Sequence, residues 1–243
     1  MSSWLTAARF ALVMCALLAA LSLPGSALFT LETVIVEGAH SLSPGEVVEA
    51  SGLEPGTVSL FRVPAGEVEE RLARHPRIAA ARVRPRPPDA IVIEVAERVP
   101  AAAVPLQAGY AVIDGGAVVI EVTPARPALP LVSGRGQRLA WAAPGHVVPS
   151  AAAREAVRVL PLLPAPLRGR VAHLQVTATR EVVLYTLDGV EIRAGPVAGV
   201  EERLAVAPEV LQRVRAEGLV LAYVDLRVPD TVILGPRRSG PAQ

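Results

Sequence analysis

The sequence contains no lysine, one cysteine and few aromatic residues, and each scarcity excludes a class of protein. A single cysteine, Cys15, cannot build a disulfide framework. All fixed positive charge comes from arginine, and the formal net charge of +1 predicts no nucleic-acid partner. Aromatic residues make up 3% of the 243 residues, whereas 51% are hydrophobic, much of it alanine and valine. This composition suffices for the cores of one or two small domains.

Catalytic and metal-binding motifs are also missing from the sequence. The four histidines lack the spacing of a zinc site, and neither a P-loop nor a G-x-S-x-G elbow occurs. Asp114 and Asp188 each precede glycine at a predicted hairpin, where aspartate ordinarily serves the turn. We therefore predict that the chain is not an enzyme and has no catalytic residue, no cofactor, no metal site and no small-molecule substrate.

An uncharged apolar run near the N-terminus is the first feature that is present. Residues 10–29 give about 20 residues, the length that crosses a hydrocarbon core about 30 Å thick. Arg9 precedes this run and the next basic residue is Arg62, so the positive-inside rule predicts a cytoplasmic tail over residues 1–9. A cleaved signal peptide is the alternative, because Gly25-Ser26-Ala27 would suit signal peptidase. Either interpretation exports the rest of the chain.

Residues 30–100 predict the order strand, helix, helix, strand, strand. Ser43, Pro44 and Glu46 have the spacing of a capping box that begins the first helix. Val68 and Leu72 lie four residues apart and would share the buried face of the second helix. The predicted strands are 33–37, 78–84 and 90–96, and the predicted helices are 44–50 and 65–74.

The residues after Pro100 predict further strands separated by helices. A helix is expected over 151–163 behind Ser150, and another over 200–216 with a break near Pro208. The proline- and glycine-rich run 123–149 predicts mostly loop, with 129–132 extended. The predicted strands are 110–113, 117–122, 171–176, 182–186, 190–193, 221–228 and 231–234.

Several of these segments resemble a known family. Val34-Ile35-Val36-Glu37-Gly38 and Ile91-Val92-Ile93-Glu94-Val95, within that element order, resemble a POTRA domain, a small module of exported proteins. Later segments resemble, in order, the β-domain of FtsQ/DivIB cell-division proteins. They are Tyr110 to Gly116, Leu129 to Val132, Asp188 to Gly195 and Tyr223 to Arg227. Their order behind an apolar run is more specific than any one of them, and it favours an uncleaved anchor.

The resemblance implies an α+β fold with four parts after the tail. These are a transmembrane helix over 10–29, a POTRA domain over 30–100, a mixed β-domain with flanking helices over 101–236, and a disordered tail over 237–243. It implies a single-pass plasma-membrane protein at the division septum, with its N-terminus in the cytoplasm and its bulk outside.

The resemblance also implies a non-enzymatic divisome scaffold. Its expected partners are small bitopic division proteins of the FtsB/DivIC and FtsL type, bound outside the membrane, so that septum assembly is linked to wall synthesis. The POTRA domain is expected to make a second protein contact. The alternatives are a POTRA-containing envelope adaptor and a secreted protein, both outside division.

The last predicted strand, 231–234, is the candidate docking edge. A strand at the end of a sheet leaves backbone N–H and C=O groups unpaired, and a partner segment can add there as another strand. The predicted partner-binding residues are Tyr223, Asp225, Arg227, Val228, Thr231, Val232, Ile233 and Leu234. Arg227 is expected to pair with an acidic residue of the partner. In the alternative interpretation, Val232 and Leu234 are core residues, and Asp225 and Arg227 form an ordinary surface pair.

Overall fold

The computed structural model describes residues 12–14, 29–228 and 231–236, and the chain divides into two units between Arg98 and Val99. The predicted cytoplasmic tail, nearly all of the predicted membrane helix and the predicted disordered tail lie outside the described residues. Of the membrane segment, Leu12 to Met14 are described and are helical. Within the described ranges, no helix is both long enough and apolar enough to span a bilayer.

The first unit is a three-stranded sheet with two helices. Its elements are β1 (Thr33–Glu37), α1 (Pro44–Ser51), α2 (Ala65–Ala73), β2 (Ile78–Arg86) and β3 (Ala90–Glu97). The central strand, β3, pairs in parallel with β1 and antiparallel with β2. The predicted order of elements is confirmed. The capping box is also present: the Ser43 hydroxyl accepts from the Glu46 N–H, and the Glu46 carboxylate accepts from the Ser43 N–H.

Glu97, the last residue of β3, ties the exit from the first unit to the loop after β1. Its carboxylate accepts hydrogen bonds of 2.6 to 3.0 Å from the N–H groups of His40, Ser41 and Leu42 and from the Ser41 hydroxyl. Burial by itself would raise the pKa of Glu97, but these hydrogen bonds outweigh it and lower the pKa to about 2. The carboxylate of Glu97 therefore holds the end of β3 to the loop after β1.

The second unit is built on a nine-stranded sheet. Its elements are β4 (Pro100–Leu106), β5 (Gly109–Asp114), β6 (Val119–Thr123), β7 (Leu131–Gly134), α3 (Ala151–Val159), α4 (Ala165–Arg168), β8 (Val171–Val176), β9 (Glu181–Thr186), β10 (Glu191–Pro196), α5 (Val200–Ala205), α6 (Ala207–Ala216), β11 (Leu221–Asp225) and β12 (Ile233–Pro236). The strand order is β12-β11-β10-β9-β8-β7-β4-β5-β6, so β12 and β6 lie at the two edges.

One row of side chains across this sheet marks its buried face. Val132, Leu174, Leu184, Ile192 and Val224 lie side by side in register on β7 to β11, and each is fully buried. The helices supply the other half of this core, chiefly through alanine, valine and leucine. The next residue along each strand points to the opposite face of the sheet because side chains alternate along a strand.

Strand β4 was not predicted from the sequence. It reads Pro-Ala-Ala-Ala-Val-Pro-Leu, and alanine and proline are both depleted in strands. It is nevertheless central, between β5 and β7, and Ala102, Ala103 and Val104 are buried there. Tertiary packing has therefore overridden the low strand propensity of the alanine and proline residues in β4.

The run predicted as mostly loop contains β7 but is otherwise irregular, as expected. Backbone hydrogen bonds still hold it against the sheet. Leu139 pairs beside the end of β4, its N–H donating to Pro105 and its C=O accepting from Gln107. Farther on, residues 145–148 pair beside the start of β6. The helix predicted over 200–216 is broken near Pro208, as expected, into α5 and α6.

Candidate partner-docking edge

The strand predicted as the docking edge exists, but its bounds differ from the prediction. The prediction of 231–234 is wrong: β12 is Ile233–Pro236, so Thr231 and Val232 precede the strand. The prediction that β11 continues to Val228 is also wrong, because β11 ends at Asp225. There the Asp225 carboxylate accepts the N–H of Arg227 at 3.1 Å, and such a local side-chain bond turns the chain away from strand geometry.

β12 carries apolar side chains toward both faces of the sheet. Leu234 is in register with Val224 and so continues the buried row, yet it is 40% exposed. Ile233 is in register with Asp225 on the opposite face and is 43% exposed. Val232, just before the strand, is similarly exposed. The interpretation of Val232 and Leu234 as ordinary core residues is therefore not supported by their exposure.

Tyr223 holds β12 close to β11. A Cβ atom at Gly235 would lie 2.1 Å from the Tyr223 ring, so the ring occupies the space that a side chain at position 235 would need. The guanidinium of Arg193, on β10, lies 4.4 Å from the centroid of the same ring, a cation–π contact. Arg193 also donates to Glu191 at 2.8 Å, and this hydrogen bond raises the pKa of Arg193. Tyr223 is thus fixed on two sides.

Asp225 and Arg227 form an ion pair within the chain. The Arg227 Nε and Nη2 donate to the carboxylate of Asp225 at distances of 2.6 to 3.1 Å. The Asp225 side chain is only 7% exposed, whereas that of Arg227 is 47% exposed. Hydrogen bonding from Arg227 lowers the pKa of Asp225. An acidic residue of a partner could use only the part of the guanidinium that Asp225 leaves open, so the expected intermolecular pair is at most a secondary contact of Arg227.

A groove beside this edge was missed by the sequence reasoning. It has a volume of about 380 Å³ and lies where the link between α5 and α6 faces the segment that leads into β12. Its lining residues are Glu202, Arg203, Val206, Leu226, Val228, Thr231 and Val232. Val206 and Val228 are exposed, while Leu226 is buried. One sequence signal pointed to this region. The helix break expected near Pro208 predicted irregular backbone at the link between α5 and α6, which forms one wall of the groove.

Arg203 fixes the wall of this groove. Its Nε donates to the carbonyl of Ala194 at 2.5 Å, and its Nη2 donates to Ala198 at 2.9 Å and also to Pro196. The three carbonyls belong to the end of β10 and the loop before α5, so α5 is held against the sheet by its own side chain. The groove is therefore a built feature of the fold.

The chemistry of this edge suits binding of a polypeptide. It offers strand backbone, apolar side chains on two faces and a neighbouring apolar groove. In the part of the chain that the structure describes, no group of three or more histidine, cysteine or acidic side chains is arranged to hold a metal ion.

Comparisons with known proteins cover both units. A family model described as "POTRA domain, FtsQ-type" matches residues 29–98. A second model, described as "Cell division protein FtsQ/DivIB, C-terminal", matches residues 102–227. The second match alone spans more than half of the chain.

Relatives of this chain carry similar names. "Cell division protein FtsQ" of Anaeromyxobacter sp. (strain K) is 32% identical over 218 residues, covering 85% of this chain and 71% of the relative. "Cell division protein FtsQ" of Caulobacter vibrioides (strain NA1000 / CB15N) is 34% identical over 215 residues, covering 87% of this chain and 66% of the relative. A solved extracytoplasmic domain of the cell division protein DivIB from Geobacillus stearothermophilus is 20% identical and covers 50% of this chain and 97% of its own, with a TM-score of 0.35, too low to support an argument.

Proposed function

Because the chain belongs to the FtsQ/DivIB family of cell division proteins, we propose that it is a divisome scaffold that binds bitopic division proteins of the FtsB/DivIC and FtsL type. The family is non-enzymatic. The proposed role is to link septum assembly to wall synthesis by holding these partners outside the membrane. One observation carries the proposal: an edge strand, β12, that presents exposed apolar side chains toward both faces of a sheet.

The proposed topology is a single membrane pass. Residues 1–9 form the cytoplasmic tail, residues 10–29 cross the plasma membrane, and both units lie outside it at the division septum. The uncharged run and the position of Arg9 support this orientation. N-terminal sequencing of the mature protein tests it: an intact N-terminus is expected, and a start at Leu28 would show that the segment is a cleaved signal.

The proposed binding mode is strand addition. A partner segment aligns beside β12 and takes up the backbone groups that face away from β11, which supplies most of the affinity. Its alternate side chains cover Ile233 on one face and Leu234 on the other. Further apolar side chains of the partner enter the groove beside Val206 and Val228, which sets specificity.

Proline substitutions in β12 test this binding mode. Adjacent residues of a strand point their N–H groups to opposite sides, so one of Ile233→Pro and Leu234→Pro removes a donor toward β11 and the other removes a donor toward the partner. Urea unfolding identifies the variant that leaves the fold intact. That variant is expected to bind the exported segments of purified FtsB/DivIC- and FtsL-type partners at least about tenfold more weakly.

A matched control is Val122→Pro in β6, the opposite edge strand. It should leave partner binding unchanged if the variant remains folded. Unaltered binding by the folded β12 variant would remove the docking edge from the proposal. Loss of partner binding in both the β12 proline variant and Val122→Pro would show that the effect is not local to β12.

A further inference from the structure

The third phenylalanine of the chain, Phe61, lies close in space to the N-terminal end of the described part of the first unit. It is in the middle of a 3₁₀ turn, Leu60–Arg62, between α1 and α2. Leu60 is buried and anchors the turn in the core, while Phe61 is 50% exposed. Packing within the first unit accounts for the buried half of the Phe61 ring. It does not account for the half that is exposed to water.

The fold brings this turn directly beside the last residue of the apolar run. Phe29 packs edge-on against Phe61, with 5.1 Å between the ring centroids. Backbone bonds hold the two segments together: the Leu31 N–H donates to Val58 at 2.9 Å, and Thr30 and Ser59 form an antiparallel bridge. The position of Phe61 relative to Phe29 is therefore fixed by the fold.

This geometry limits how far Phe61 can lie from a membrane. If residues 10–29 cross the bilayer, as the proposed function requires, Phe29 ends the span and lies where the hydrocarbon core meets the headgroups, a layer of about 5 to 7 Å on each side. A ring 5.1 Å from that of Phe29 then lies in or against the same layer. Apolar and aromatic side chains at this boundary bury themselves among the headgroups and upper acyl chains.

We propose that Phe61, packed on Phe29, inserts into the interfacial layer of the membrane and is a second contact between the first unit and lipid. The occupant of this surface is the lipid bilayer itself. Arg62 is exposed beside it, and its long side chain can keep its charge among the headgroups. The contact would restrain the tilt of the first unit on the membrane surface. The proposal rests on the membrane anchor of the proposed function.

Depth-dependent fluorescence quenching tests the insertion. Phe61→Trp is placed in a chain with Trp4→Phe and Trp141→Phe and reconstituted at full length into vesicles of phosphatidylcholine and phosphatidylglycerol. Lipids brominated near the headgroup are expected to quench this tryptophan at least threefold more strongly than they quench His40→Trp in the same background. His40 bonds Glu97 at the end of β3, whereas Glu32, three residues after Phe29, bonds Asp89 just before β3 begins. The two ends of this strand, Ala90 and Glu97, are about 23 Å apart at about 3.3 Å per residue.

Flotation of the vesicles separates the possible failures. Protein that does not float with the vesicles overturns both the anchor and this proposal. Protein that floats, with position 61 quenched no more than position 40, overturns this proposal and leaves the anchor intact. If the tryptophan variant is misfolded by circular dichroism, Phe61→Cys with Cys15→Ala and a nitroxide label gives the same answer: higher access to oxygen than to a water-soluble nickel complex supports insertion, and the reverse excludes it.

Discussion

The two edges of the nine-stranded sheet are treated differently by the chain. At β6, both backbone groups of Val119 are paired: its N–H donates to His146 at 2.9 Å, and its C=O accepts from Gly145 at 2.8 Å. The Val148 N–H then bonds the carbonyl of Ala117 at 2.9 Å, next to β6. At β12, the sheet of described residues simply ends. The start of β6 is paired by the chain's own loop, whereas the described residues place no further strand beside β12.

Side-chain exposure alone does not distinguish these edges. Val122 on β6 and Ile233 on β12 are each 43% exposed. The distinguishing feature is the backbone, because unpaired edges are the part of a sheet that recruits another strand and natural proteins commonly cover them. The proposed docking edge, β12, is the edge that the described residues leave without a further strand.

The largest effect is expected from filling the space under Tyr223. In Gly235→Val, the new side chain would collide with the ring, and overpacking of this kind destabilises by about 2 kcal/mol. β12 should then detach from β11, which is measured as faster hydrogen exchange of the Ile233 and Leu234 amides and as loss of partner binding. Gly169→Ala is the control, since a Cβ there meets no atom within 4 Å. Unchanged exchange in β12 would contradict the role given to Tyr223.

A smaller effect is expected from breaking the ion pair that ends β11. Asp225→Asn should lower the free energy of unfolding by about 1 kcal/mol at pH 7, because the buried ion pair is replaced by a weaker hydrogen bond between a neutral amide and Arg227. The pKa of Asp225 is lowered from its usual 3.8. Its contribution is therefore full above pH 3.8 and is lost as the pH falls below that value. Urea unfolding of both proteins at several pH values measures the difference.

The control for this prediction is Glu209→Gln. Glu209 and Arg213 form an ion pair on α6 whose side chains are both mostly exposed, so no measurable change is expected. A difference between Asp225→Asn and the native chain that stays constant down to pH 2 would count against the pairing.

Loosening the loop that pairs beside β6 should make this edge available to another strand, as the edge at β12 already is. Gly145→Ala strains a residue with φ of +81°, at a cost of about 1 kcal/mol, and loosens the loop over β6. We expect concentration-dependent self-association, measured by analytical ultracentrifugation. Gly136→Ala introduces similar strain at φ of +65° but lies away from β6, so it should associate no more than the native chain does. Equal behaviour of the two variants would show that the loop does not protect the edge.

The smallest effect on stability is expected from one charge on each edge. Ile233→Lys and Val122→Lys should each change the free energy of unfolding by less than about 0.5 kcal/mol, since both positions are partly exposed. Partner binding, measured by biolayer interferometry, should weaken several-fold for Ile233→Lys alone, because lysine opposes strand addition. An equal loss of partner binding in both variants would show that the two edges do not differ in partner binding.

Much of the fold could be predicted from the sequence because its signals are local. The Ser43–Glu46 capping box, the Asp114 and Asp188 turns, and the break near Pro208 each depend on residues that are close in the chain. Strand β4 could not be predicted, since alanine and proline give no strand signal and their burial between β5 and β7 comes from distant residues. The groove was missed for the same reason, because its walls come from segments at least 20 residues apart.

The candidate docking residues show the same division. The sequence located the last strand near residue 233 and assigned the family-like segments in the correct order. It could not show that Asp225 captures the Arg227 N–H and ends β11, nor that the Tyr223 ring lies over Gly235. The contact between Tyr223 and Gly235 depends on the register between β11 and β12.

The sequence by itself determined the order of elements, the helix caps and the turns, because each is encoded by side chains that interact with nearby backbone. Tertiary structure decided which strands became edges and which edge the chain covered. That choice depends on pairing between residues far apart, such as Val119 with His146, where the entropy of closing the loop is recovered only when the whole sheet has assembled. An edge is a property of the assembled sheet, and no single segment encodes it.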